Sequence, residues 1–364
     1  MSTQTSTLEM GLPIAKTSSW RNRSIALALA VVIAGIFWID SRYPALNKKY
    51  HQGPNVKVVG TLTFDALYPV SPAMPLRTRV YRTTLNWLNA NKIGMTFGFF
   101  FGAAALTLLA TFPVRRTKYP SANALLGAAA GMPLGVCANC VVPIARGLYA
   151  SGMTTESTLA AMFSSPGLNV LVLAMTFALF PLSVALLKTA TVLLLIFGFA
   201  PLMATRKNEA VADAACPVAL PANDSWSQAL KSTLASYAKS FWYILKIGLP
   251  LMLLAAILGA LAVELLPLGA LATARVSFLG IAAVAIISAF LPVPMAFDVI
   301  FAYIAMTRGV PLPYVVTILC TLGIYSVYSV LVVGKTISWR VATAAYAAVA
   351  VVGAVAGALT QFLH

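Results

Sequence analysis

Charge is what this sequence has least of. Only 9% of its residues are charged, against about a quarter in soluble domains, and mean hydropathy is +0.87, so a soluble globular protein is excluded. Acids are the scarcest: nine Asp and Glu stand against 25 Lys and Arg, a net charge of +16. That excess is spread thinly, which argues against a nucleic-acid footprint and for a topology signal and anionic-lipid contact. There are two histidines, His51 and His364, too few for a His-rich metal site, and four cysteines, too few for a secreted disulfide framework. No Gly-x-x-x-x-Gly-Lys-Ser/Thr loop occurs, so nothing points to ATP as the energy source. Strand-like alternation is also lacking, which excludes an outer-membrane barrel.

What is present in quantity is apolar text in lengths that span a bilayer. The composition therefore predicts an all-α polytopic membrane protein. Residues 1–23 are polar, and Lys16, Arg21 and Arg23 precede the apolar run 24–39. This reads as an uncleaved signal anchor with its N-terminus inside. A polar, basic stretch follows to residue 92, with a β-like piece at 56–62 and a basic amphipathic segment at 77–91. Residues 1–92 are thus expected to be an anchor and an external loop, 93–203 a first transmembrane repeat, 204–240 a cytoplasmic linker and 241–364 a second repeat.

The two repeats match at a shift of 157 residues. Gly152 falls on Gly309, Pro166 on Gly323 and Asn169 on Ser326. Each copy holds four apolar stretches. The basic turns at Arg115, Arg116 and Lys118, at 204–238, and at Lys335 and Arg340 all fall inside only if each copy crosses an odd number of times. One stretch per copy must then dip in and return, and 121–151 and 268–308 are the interrupted ones. The expectation is about seven full spans plus two re-entrant hairpins in an inverted repeat, with a site where helices break at the midplane. A bilayer tolerates unpaired backbone only beside protein or a cavity. The breakers Gly131, Pro133, Gly135 and Pro143 therefore bracket a site, as do Ser165, Pro166, Gly167 and Asn169, with an unwound turn expected at Gly167.

Between the first breakers lie Cys137 and Cys140, with Asn139 between them. Thiols at i and i+3 share a helical face, their Cβ atoms about 5–6 Å apart. They could chelate one soft ion or, after a small shift, form a disulfide. Cys320 could add a third thiol. Met132, Met153, Met162 and Met295 could add thioethers, although scattered Met usually fills a core. Cys216 has no partner in sequence. Tyr325, Ser326, Tyr328 and Ser329 could line a pathway or bond between helices. Among the nine acids, Asp298 lies inside the second hairpin, where a carboxylate costs about 2.5–3.5 kcal/mol on insertion scales. It could carry a coupled proton, or cap a short helix at 299–306.

At these residues the chain resembles the ArsP-like predicted permeases, which include organoarsenical efflux permeases. The matching positions are Pro133, Cys137, Pro143, Gly147, Gly152, Ser165, Pro166 and Asn169. The resemblance covers roughly residues 93–362, and its specific part is about forty residues long. The core here is Cys-Ala-Asn-Cys where the family resembles Cys-Ser-Cys-Gly, which changes the bite of any chelate. The resemblance implies a transporter and not an enzyme, in a bacterial inner membrane. It also implies export of a small thiophilic metal(loid) by an ion gradient, with no cofactor and with the lipid bilayer as its surroundings. Two other readings are a transmembrane thiol–disulfide electron carrier, which would bring Cys320 to Cys137 or Cys140, and a structural subunit, which would have no cavity.

Overall fold

The computed structural model describes residues 20–44, 47, 67–71, 73–111, 117–204, 225–265 and 275–361. Cys216, the 56–62 piece and the turn at Arg115 and Arg116 lie outside them. The described residues are overwhelmingly helical and form no named strand. Among the described residues, five helical segments are long and apolar enough to cross a membrane: Trp20–Arg42, Leu76–Leu109, Leu182–Leu202, Trp226–Val263 and Trp339–Leu359. A sixth crossing is available if the pair Thr155–Gly167 and Val170–Leu179, bent by 47°, counts as one.

In chain order, α1 is Trp20–Phe37, prolonged by a π-turn at Trp38–Arg42, and α2 is Leu76–Leu109. Then come α3 (Pro120–Gly131) and α4 (Val141–Ala150), α5 (Thr155–Gly167) and α6 (Val170–Leu179), and α7 (Leu182–Leu193), which runs on through a π-turn to Leu202. The series resumes with α8 (Trp226–Leu265), α9 (Phe278–Phe290), α10 (Phe297–Thr307), α11 (Leu312–Thr321), α12 (Val327–Thr336) and α13 (Trp339–Leu359).

α2 runs unbroken through residue 92, so the amphipathic segment 77–91 and the apolar run from Ile93 are one helix. The basic first turns hide its continuity, because Arg77, Arg79 and Arg82 precede an apolar run that begins only at Ile93, nearly five turns in.

Helices stop where the backbone loses a partner and start where a side chain supplies one. Pro120 opens α3 at its first turn, where its missing N–H is harmless. Thr154, Asn169, Ser277, Ser326 and Ser338 each accept a backbone N–H three residues on, capping α5, α6, α9, α12 and α13. Two pairs of matched elements keep one offset at both ends. Val170–Leu179 and Val327–Thr336 lie 157 residues apart at both ends. So do Leu182–Leu202 and Trp339–Leu359. The turns leaving α4 and α10 share a left-handed glycine, Gly152 (φ 97°) and Gly309 (φ 80°).

Glycines let helices approach closely. Gly94, Gly98 and Gly102 on α2 face the segment from Cys140 to Ile144. A Cβ at Gly102 would lie 2.8 Å from the Pro143 carbonyl. Gly127 on α3 packs against the Ser157 carbonyl of α5. In an open helix, alanine in place of glycine gains about 1 kcal/mol. At Gly127 the new methyl meets backbone, so Gly127→Ala is expected to destabilise instead, by about 1–3 kcal/mol. Thermal unfolding of the full chain in detergent checks the sign: a raised midpoint would show that α3 and α5 are not in this contact.

Candidate functional site

The two hairpin turns meet in the interior. The first, residues 132–140, holds a 3-10 turn at Met132–Leu134 and a left-handed Gly135 (φ 57°). The second, residues 291–296, holds Pro292 and Pro294 and ends at Ala296, whose φ of 59° is left-handed and costs a non-glycine residue about 1–2 kcal/mol. Asn139 links them. Its Nδ2 donates to the Val293 carbonyl at 2.9 Å, and its Oδ1 accepts from Ser326 Oγ at 2.8 Å. One fully buried amide thus holds the first hairpin to the second and to the break between α11 and α12. The matching break between α5 and α6 also touches the first hairpin, because Ser165 Oγ donates to the Val136 carbonyl at 3.3 Å.

Asp298, in the first turn of α10, does not cap its helix. The N-cap is Ala296, which makes no side-chain cap bond. The carboxylate instead forms a buried ion pair with Lys188 of α7, their side chains 7% and 2% exposed. Cys320 of α11 and Thr191 of α7 stand beside this pair. Gly323 (φ 81°) lies under Asp298: a Cβ there would be 3.4 Å from the aspartate's own Cβ and Cγ. The pair therefore joins the two halves of the chain next to the α11–α12 break. Each partner spares the other the cost of an isolated charge in the interior.

Cys137 and Cys140 form a disulfide, with Cα atoms 5.1 Å apart. The Cys140 N–H donates to Cys137 Sγ at 3.1 Å, and Asn91 Oδ1 of α2 lies 3.8 Å from the same sulfur. Only the reduced pair could ligate a soft ion; in the disulfide the sulfurs hold each other. Among the described residues no cluster of three or more His, Cys, Asp or Glu could hold a metal. Cys320 is a free thiol at the ion pair and bonds to neither sulfur, whereas the electron-carrier reading expected it to meet Cys137 or Cys140.

Several sequence-predicted residues have local duties. α5 continues through Pro166 to Gly167, and the break falls at Leu168 and Asn169, one to two residues later than expected. Asn169 Nδ2 donates to the Ser165 and Pro166 carbonyls at 2.7 and 3.1 Å, satisfying carbonyls that the end of α5 leaves open. Gly167 is helical; its missing side chain admits Val192 of α7, which a Cβ would meet at 2.8 Å. Pro143 lies in the first turn of α4 against Gly102. Tyr325 is fully buried, and its hydroxyl has no partner among the described residues.

A groove of about 420 Å³ between α2 and α8 leads to this region. Trp87, Asn91, Met95, Phe99, Leu245 and Met252 line it. Asn91 carries the groove to the disulfide. Trp87 Nε1, on the same wall, donates to the Pro292 carbonyl of the second hairpin. The groove is mostly apolar, with Lys92 as its one cationic lining residue.

Sequence reasoning missed Lys188, Asn91 and Trp87. A lone lysine in the apolar run 182–203 was a usable signal, because an unexplained intramembrane charge needs a partner. Asn91 and Trp87 fell in a segment read as an external loop.

A family model described as a predicted permease, ArsP_1, matches residues 106–362, more than half of the chain. No curated protein and no solved structure matches it.

Proposed function

Because the chain belongs to the ArsP_1 predicted-permease family, and hence to the membrane transporters, we propose that it is an ion-gradient-driven exporter of a small thiophilic metal(loid), such as a trivalent organoarsenical, in a bacterial inner membrane. The observation that carries this reading is the meeting of two hairpin turns and a helix break at Asn139, beside a buried ion pair and at the end of an open groove. Irregular backbone at this depth belongs where protein or a cavity satisfies it. Transporters of inverted-repeat design place their sites at such breaks.

The shared offset of 157 residues supports two copies of one plan. If α11 and α12 form one broken crossing, as α5 and α6 do, the chain makes seven crossings. The pairs α3–α4 and α9–α10 then enter and return, because 10–13 residues of helix rise only about 15–20 Å. An odd number of crossings per copy turns the copies to face opposite ways, with the N-terminus inside.

In this reading the reduced Cys137–Cys140 pair takes the substrate. A trivalent arsenical with two hydroxyls and an organic group would exchange them for two sulfurs, releasing two waters. Asn139 and Asn91 flank the pair. Asp298 carries the coupled proton: protonation removes the charge that Lys188 holds, which loosens the junction between the halves.

The substrate is tested by a resistance and accumulation screen of cells with and without the chain, across arsenicals, copper, mercury and sulfur anions. Lowered accumulation of trivalent organoarsenicals alone is the expected result. A response to sulfur anions alone would move the site to Asn139 and the helix ends and leave the thiols without a substrate role.

A further inference from the structure

Outside this site, Arg146 on α4 is a buried charge, only 3% exposed, with no counterion among the described residues. Its Nη1 donates to Thr336 Oγ1 of α12 at 3.1 Å. Its guanidinium lies 4.3 Å from the Tyr243 ring centre of α8. Lys246 brings a second positive charge to the same ring at 5.9 Å. The Nε–H of Arg146 is buried with no hydrogen-bond partner among the described residues.

A ring face offsets part of a cation's desolvation, and a neutral hydroxyl offsets a little more. Neither removes a whole charge. A guanidinium stays protonated in a protein, so it cannot relieve the cost by losing its proton. Beside Arg146 is a small, half-open pocket with about 10 Å³ of room for a guest's centre, enough for one small guest. Arg146, Tyr149, Thr158, Met162 and Thr336 are among its lining residues. Thr336 Oγ1 accepts from Arg146, so its own proton is available to a guest.

We infer that this cavity is a monatomic-anion site in which a halide, chloride under ordinary conditions, neutralises Arg146. The charge calls for an anion, and the room beside Arg146 favours a small one. The ion would hold α4 of the first hairpin to α12 across the two halves.

The test uses the purified full chain in a neutral detergent, at constant ionic strength, with sodium gluconate replaced stepwise by sodium chloride or bromide. A ligand that binds only the folded chain raises its thermal midpoint in a saturable way. Chloride and bromide are expected to do so, and sulfate is not. Arg146→Gln should abolish the halide response. If that variant does not fold, Thr336→Val decides, with the half-effect concentration expected to rise about fivefold, the worth of one hydrogen bond of about 1 kcal/mol. The inference is overturned by a native midpoint indifferent to halide, by an Arg146→Gln chain that responds like the native one, or by an unchanged half-effect in Thr336→Val. None of these readouts depends on transport, so the exporter reading stands or falls separately.

Discussion

Asp298→Asn is expected to abolish gradient-driven transport and to cost about 3–5 kcal/mol of stability, the usual result of stripping one partner from a buried ion pair. The two losses have different causes. Stability falls because Lys188 is left charged and unpaired in the interior. Transport falls because the carboxamide cannot take up and release a proton. A double variant separates them. Lys188→Met with Asp298→Leu replaces the pair by apolar side chains, which is often neutral or stabilising. Its thermal midpoint should return towards the native value while gradient-driven transport stays absent. If the double variant still transports against a gradient, the pair is a structural junction and the coupling proton is elsewhere.

Cys137→Ser and Cys140→Ser are each expected to remove most transport of a thiophilic substrate, and the double variant to be little worse than either. Two ligands sharing one centre act as a unit, so their losses do not add. The hydroxyl is close in size to the thiol but a poor soft ligand. The disulfide sharpens the experiment. In vesicles reduced beforehand with a thiol-free phosphine and washed, the native chain should transport; after oxidation of the pair it should not, and renewed phosphine reduction should restore it. The serine variants should be inactive in both conditions. Full activity in the double serine variant would make the sulfurs packing atoms that close the hairpin turn. An electron carrier would lose activity in the same variants, but its native pair would cycle between dithiol and disulfide as an external reductant was consumed.

The helical membrane class was legible from the scarcity of charge, and the hairpin turns from their breakers. Pro292 and Pro294 interrupt apolar text where no helix could continue, and the structure places a turn there. Asn169 and Ser326 matched by offset because both are helix caps, a local duty that a sequence can record. The meeting at Asn139 was not legible. Its partners Val293 and Ser326 are 154 and 187 residues away, and nothing local marks an amide that bonds to a distant carbonyl. Asp298 stood out as an acid in apolar surroundings, but its partner lies 110 residues earlier on another helix. The start of α2 was misplaced for a different reason. Arginines in its first turns give that end the composition of a loop, although the helix is continuous from Leu76.

The proposed activity is movement of a thiophilic solute through the place where the two hairpins meet. Everted membrane vesicles carrying the native chain, kept reduced and given an imposed proton gradient, provide the most direct measurement. Saturable accumulation of a trivalent organoarsenical is expected, collapsed by a protonophore and absent from vesicles carrying Asp298→Asn. Accumulation equal to that of vesicles without the chain, for every arsenical, copper, mercury and sulfur-anion probe, would contradict the claim.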